Sequence, residues 1–250
     1  MGFSADWLAL RAPADAAARA PEPLARLEEW AAGRPLRVVD LGCGTGATHR
    51  ALAGRLPGAR WTLVDSDPDL LALAAETGAE IRRLDLARDA EDAVAEADLV
   101  TASALFDLAS GDWIARLAAA LPPHAALYAA LTYDGRETWR PAHPAEPAAL
   151  AAFHAHQRGP KGLGDGPALG PEATAALAAA LADRRLLVAP SPWRLTAADR
   201  PLIEALAEGC ADAVSETGAL DPETLAEWRD ARRAAATAEI GHLDLLALPA

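Results

Sequence analysis

Between residues 36 and 132 the sequence alternates short β-branched or leucine-rich runs with alanine-rich stretches that keep leucine at helical spacing. The runs are LRVVDL (36–41), RWTLVD (60–65), EIRRL (80–84), DLVTA (98–102) and AALYAALT (125–132). Helical sequence lies between them, near 47–55, 67–77, 89–96 and 112–120. Strands joined through helices by short connections make right-handed crossovers, and these build a mostly parallel sheet with helices on both faces. Strands covered on both faces need no polar alternation, and these runs show little of it.

After the fifth run the rhythm breaks. Residues 133–170 carry three histidines (His143, His154 and His156), six glycines and several prolines, which predicts a long irregular segment of the kind that carries function on a rigid scaffold. Helical sequence resumes at 171–183, where Pro171 suits a first turn, and a sixth strand at 185–189 stops at Pro190. Two amphipathic helices at 197–216 and 222–236 precede a final strand at 242–248. The expected organisation is one domain over 1–250. It divides into an N-terminal helical lid (1–35), a core (36–132), an insertion (133–170), and the remaining helices with the last two strands (171–250).

The chemistry concentrates where the first strand ends. Val38-Val39-Asp40-Leu41-Gly42-Cys43-Gly44-Thr45-Gly46 leaves a strand and enters a helix. Glycines there allow a tight turn and let a ligand approach the backbone, and the helix start offers unpaired N–H groups. Asp40 stands just before the bend, where it can face a ligand ammonium. Asp65 ends the second strand, where a carboxylate can accept both hydroxyls of a ribose. Asp85 ends the third, within reach of an adenine amino group. Gly42, Gly44 and Ala47 also satisfy the permissive dinucleotide spacing, but an acid at position 40 beside a pyrophosphate is repulsive.

With 52% apolar residues in 250, the chain can build a substantial core. A net charge of −13 argues against nucleic acid or an anionic membrane surface as the main partner. Two cysteines, Cys43 and Cys210, make neither a disulfide framework nor a Cys-rich zinc site. No apolar run reaches the length of a membrane span, and the N-terminus lacks the pattern of a signal peptide, so a cytoplasmic location is expected.

The stretch Asp40–Gly46, with Asp65, Asp85 and the post-strand sequence TASALFDL (101–108), resembles the glycine motif and later motifs of the class I S-adenosylmethionine-dependent methyltransferases. That resemblance implies a doubly wound, mostly parallel seven-stranded sheet with an antiparallel last strand, plus extra helices at the N-terminus and before that strand. It implies S-adenosylmethionine across the ends of the first, second and fourth strands. Gly42, Cys43, Gly44 and Gly46 would pass beneath the donor, and Asp65 and Ser66 would hold the ribose. Asp85 and Leu86 would lie near adenine, and Ser103 and Ala104 would flank the methionine part.

The segment after the fifth strand then overhangs the methyl group. Tyr133 and His156 are the candidates for catalysis, as an orienting hydroxyl and as a base that titrates near neutral pH. His154, Arg136, Arg158, Lys161 and Trp193 join them as candidate acceptor contacts, the cations being suited to a carboxylate or phosphate. Trp7 and Arg11, four apart on one helical face, are candidates for covering the donor. No Cys or carboxylate pattern completes a metal site around the histidines. The expected function is methyl transfer to a small organic acceptor, with a homodimer through the 197–236 faces as one possible assembly. The alternatives are an NAD(P)-dependent oxidoreductase, a non-catalytic nucleotide-binding protein and, within the same fold, an aminopropyl transferase.

Overall fold

The computed structural model describes residues 3–250. Two helices, α1 (Ala5–Ala18) and α2 (Pro21–Ala31), precede β1 (Arg37–Leu41), α3 (Ala47–Leu52), β2 (Arg60–Asp65), α4 (Pro68–Ala74), β3 (Glu80–Arg83), α5 (Leu86–Val94) and β4 (Leu99–Ser103). Then come α6 (Gly111–Ala120), β5 (Ala126–Arg140), α7 (Glu146–Gln157), α8 (Ala173–Ala180), β6 (Arg185–Pro190) and β7 (Trp193–Leu195). The chain closes with α9 (Arg200–Thr217), α10 (Pro222–Arg233) and β8 (Thr237–Leu248). The sheet order is β3-β2-β1-β4-β5-β8-β6, with β7 added beside β8. Strands β1 to β5 pair in parallel, and β8 runs antiparallel to β5 and to β6.

Successive side chains of a strand point to opposite faces, so each strand feeds two cores. Val39, Leu41, Val100 and Leu127 pack with Trp113, Ile114, Leu117 and Leu177 of α6 and α8. Val38, Leu63, Leu99 and Tyr128 pack on the other face with Leu24, Leu27, Leu52 and Leu71 of α2, α3 and α4. Polar caps start the helices that follow the strands. Asp67 accepts from the amides of Asp69 and Leu70, Asp85 from that of Ala87, and Ser110 from that of Trp113. The caps at 67 and 85 sit at the carboxyl ends of β2 and β3, so helix starts and candidate ligand groups share one edge.

The region read as a long irregular segment is more ordered than its composition implies. Strand β5 continues eight residues past Thr132, because Tyr133, Thr138 and Trp139 register with His242, Glu239 and Ala238 of β8. Strand β8 correspondingly starts at Thr237 rather than 242. The ribbon buries Tyr133, Trp139, Trp193, Ile203, Ala238 and Ile240 in a third apolar cluster. Helix α7 takes 146–157, leaving a short turn at 141–145 and the glycine-rich stretch from Arg158 to Leu169 irregular. A bulge between Ala129 and Thr132 turns the ribbon. Leu131 there has φ +54, a strained value for a branched side chain, and Asp244 accepts its N–H at 2.9 Å. Among the described residues no helix is long and apolar enough to cross a membrane.

Candidate functional site

A cavity of about 630 Å³ opens at the carboxyl ends of β1, β2 and β4. Its floor is the glycine bend. Gly42 and Gly44 have φ +62 and +53, and Cys43 N–H donates to Val64 O at 2.9 Å, tying the bend to β2. A Cβ at Gly42 would lie 2.9 Å from Leu105 Cδ1, and one at Gly44 would lie 2.9 Å from Leu8 Cδ1. The bend thus lies between the segment after β4 and the overhanging α1, and its left-handed backbone favours glycine at both positions.

Asp65 locks the bend from the side. Its carboxylate accepts from Gly44 N–H at 2.9 Å, Ser66 N–H at 2.8 Å and Asp67 N–H at 3.1 Å. Asp85 and Leu86 form the wall beyond β3, and Ser103, Ala104 and Leu105 the wall beyond β4. Ala104 is held at φ +51 with its N–H on Ala130 O at 2.9 Å. From above, α1 contributes Arg11 and Asp15, paired at 2.9 and 3.1 Å. Trp193 fixes that pair. Its indole N–H donates to Asp15 at 3.0 Å, and its ring lies under the Arg11 guanidinium at 4.9 Å.

Residues 38–124 match the family described as "Methyltransferase domain". A trans-aconitate 2-methyltransferase of Paracidovorax citrulli is 41% identical over 108 residues, which is 42% of this chain and 40% of the relative. A trans-aconitate 2-methyltransferase of Mycobacterium tuberculosis is 51% identical over 53 residues, 21% of this chain. The match thus spans a fifth, 20%, of the mycobacterial relative's length. Among solved structures, a cyclopropane-fatty-acyl-phospholipid synthase-like protein from Lactobacillus casei superposes with a TM-score of 0.54 at 16% identity, covering 99% of this chain and 95% of that one. A candidate methyltransferase from Bacillus halodurans gives 0.52 at 14% identity over 90% and 98%. The chain thus has the fold of these solved structures, with a methyltransferase-domain match over its first strands.

Of the residues singled out from sequence for a donor, Gly42, Cys43, Gly44, Asp65, Ser66, Asp85, Leu86, Ser103 and Ala104 line this one cavity. Gly46 lies under the bend, at φ +85 as the residue before α3. Asp40 does not reach the cavity. It is fully buried, accepts from Thr101 Oγ1 at 2.7 Å, and leaves its second oxygen without a partner. Burial pushes it up to about 7 against the opposing effects of Thr101 and the Arg19 charge. The Cys43 thiol is pushed well above its usual range by burial and then by Asp40, so it is no nucleophile.

The expected acceptor residues divide. Lys161 enters the cavity beside Gly162 and Leu163. Its loop is docked on the segment after β4 by Ser110 N–H to Leu163 O and Leu169 N–H to Ala109 O, both 2.9 Å. Tyr133, Arg136, His154, His156, Arg158 and Trp193 are not among the lining residues. Tyr133 donates to Glu137 at 2.9 Å and lies 3.1 Å from His154 Nε2, and burial and the Glu137 charge push its pKa up. His156 lies 3.0 Å from Glu216 and 3.4 Å from the Lys161 ammonium. Arg136 pairs with Asp134 and Arg158 with Glu172.

Behind Tyr133 is a buried charge network that no sequence motif marked. Arg232 lies between the Trp139 and Trp228 rings, 4.3 Å from each, and pairs with Glu137 at 2.7 Å and with Glu146. Asp15 was also missed as a lining residue. The available signal was its i,i+4 spacing from Arg11.

Proposed function

We propose that this protein transfers the methyl group of S-adenosylmethionine to a small organic acceptor. The observation that carries the reading is the single cavity into which the glycine bend, Asp65, Asp85 and Ser103–Ala104 converge. The residues present fit such a donor. Its methyl carbon is carried on a positively charged sulfur, and five aspartates (Asp15, Asp65, Asp67, Asp69 and Asp85) give the cavity a negative field. Asp65 uses three acceptor positions on backbone amides and keeps lone-pair capacity for one ribose hydroxyl. The Arg11–Asp15 pair offers a cation to the donor's carboxylate and an anion to its ammonium, the role expected of Asp40. Leu8 on Gly44 and Leu105 on Gly42 exclude water from the bend. Orientation of methyl and nucleophile then supplies much of the acceleration.

The same charges disfavour a dinucleotide, whose pyrophosphate would meet those aspartates. So does the antiparallel β8 between β5 and β6, where a dinucleotide fold continues in parallel. The names of the curated relatives make trans-aconitate a reasonable first acceptor to assay. Calorimetric titration with S-adenosylhomocysteine and separately with NADPH tests the reading. Binding of the first alone is expected, and binding of NADPH alone would end it.

A further inference from the structure

We propose that the protein forms a two-fold dimer through the free edge of β6, which pairs antiparallel with β6 of a second copy and continues the sheet across the interface. This edge lies outside the cavity, and its pairing does not depend on what the cavity binds.

Strand β6 ends the sheet. It pairs with β8 along one side, from Arg185↔Leu248 to Pro190↔Leu243, and among the described residues no strand pairs with its other side. Just beyond it, Ser191 N–H donates to His242 O at 2.8 Å, so those two residues form a hydrogen-bonded pair of the same ladder. Such pairs alternate along an antiparallel ladder. The backbone groups of Arg185, Leu187 and Ala189 therefore face β8, and those of Leu186, Val188 and Pro190 face outward. Pro190 lacks its donor on the free side, where an edge strand tolerates proline. Leu186 and Val188 keep unpaired N–H and C=O groups there, and their side chains are 37% and 43% exposed. Both side chains share the face of Ala247 and Leu245, where α8 packs over β5 and β8 and leaves them open to solvent. The helices at 197–236, by contrast, turn apolar side chains into the chain's own clusters, Leu202 and Ile203 in one and Cys210, Val214 and Trp228 in another.

The two edges of the sheet differ. At the opposite edge β3 reads Glu80-Ile81-Arg82-Arg83 with its three charged residues exposed, a guard against pairing with another chain. In β6 the run Leu186-Leu187-Val188-Ala189 carries no charge. A second copy fits this edge because β6 is complementary to itself. Antiparallel pairing centred on Leu187 sets Leu186 opposite Val188 of the second copy, and Val188 opposite its Leu186. Both are hydrogen-bonded pairs, so every outward N–H and C=O of these residues finds a partner. Arg185 falls opposite Ala189 of the second copy, so like charges do not meet. Moving the register two residues toward Pro190 would set the proline opposite Leu186, whose carbonyl would then have no donor. In the register centred on Leu187, Leu186 and Val188 of both copies form one apolar row on one face.

Sedimentation velocity of the full chain from about 1 to about 200 µM reads the assembly, and a monomer–dimer midpoint in the micromolar range is expected. Val188→Lys guards the edge at an exposed position, so it should raise that midpoint about tenfold or more while thermal melting shows the fold unchanged. The register has its own readout. Leu187 meets Leu187 of the second copy as a non-hydrogen-bonded pair with Cα atoms about 4.5 Å apart, within disulfide reach. Leu187→Cys should therefore cross-link under mild oxidation, whereas Val188→Cys, a diagonal neighbour of its counterpart at about 7–8 Å, should cross-link far less. The native Cys43 and Cys210 are buried and do not compete. A chain that stays monomeric up to about 200 µM, a dimer indifferent to Val188→Lys, or a Leu187→Cys protein that cross-links no more readily than Val188→Cys would each overturn the proposal.

Discussion

Replacing Asp65 with alanine tests the donor site at its most connected point. The carboxylate holds Gly44 N–H at 2.9 Å, Ser66 N–H at 2.8 Å and Asp67 N–H at 3.1 Å, and in the donor reading it also takes a ribose hydroxyl. Losing a hydrogen bond to a charged group costs about 1.5–3 kcal/mol, equivalent to a roughly 10- to 150-fold weaker complex. The ribose contact alone predicts that range for S-adenosylhomocysteine, measured by calorimetry. The freed Gly44 amide adds to it if the bend relaxes. Asp65→Asn removes the charge but keeps one accepting oxygen, its NH2 then facing either the Gly44 amide or the Ser66 and Asp67 amides. It should fall between wild type and alanine, and urea denaturation of both variants reports any loss of fold. An Asp65→Ala protein that folds normally and binds within about twofold of wild type would refute a role for this carboxylate in holding the donor.

Other expectations follow from single contacts. Gly44→Ala places a Cβ at φ +53 and 2.9 Å from Leu8, so it should cost about 1–2 kcal/mol and weaken donor binding; Leu8→Ala in that background should recover part of the affinity, and full affinity in Gly44→Ala alone would contradict the clamp. Arg232→Ala strands Glu137 as a buried unpaired charge, and urea melts should register a loss of about 3–5 kcal/mol; a loss under about 1 would mean that Glu137 takes up a proton or finds water. His242 is held neutral, its pKa lowered to about 4 by burial and then by the Arg11 charge. The unfolded chain takes up that proton near pH 6.5 and the folded chain only near 4, so stability is complete above about 6.5 and falls by about 3 kcal/mol as the pH drops to 4. Asp40, raised to about 7, works in the opposite sense, its contribution being complete below about 4 and lost as the pH rises through 7. His242→Phe should therefore gain stability relative to wild type as the pH falls from 6.5 to 4, and parallel stability curves for the two proteins would refute the assignment.

What the sequence made legible follows from which interactions are local. A glycine bend between a strand and a helix is a local object, and Gly42, Gly44 and Asp65 meet because parallel strands bring successive carboxyl ends to one edge. The acceptor side was read differently because its order is non-local. Tyr133–Arg140 is a strand only by virtue of β8, about a hundred residues later, and its pattern is masked by Asp134 and Glu137. Glu137 looks like a surface residue until Arg232 arrives from α10 to pair with it. The concentration of His and Tyr at 133–156 therefore marked a packed support, in which Tyr133, His154 and Glu137 bond one another, rather than cavity-lining groups. Lys161 differs because it lies on the stretch that stays irregular. There Gly164, at φ +96, passes so close to Ser110 and Trp113 that any side chain would collide.

The acid before the glycine bend shows how the same residue type can serve the site from underneath. Asp40 binds Thr101 and so fastens β1 to β4 directly below the cavity, with the Arg19 charge favouring its ionised form. Arg19 and Ala20 are the junction between α1 and α2. Ala20 N–H donates to Asp244 at 3.0 Å, and the same carboxylate takes Tyr128 Oη at 2.7 Å and the amide of the bulged Leu131. The junction is thus anchored to the centre of the sheet, beneath β5 and β8, while α1 extends from it over the bend with Leu8, Arg11 and Asp15. Trp7, Leu10 and Ala14 of α1 pack on the cluster around Trp193 and Ile203, and Trp193 holds Asp15, so the roof is tied to the same sheet as the floor.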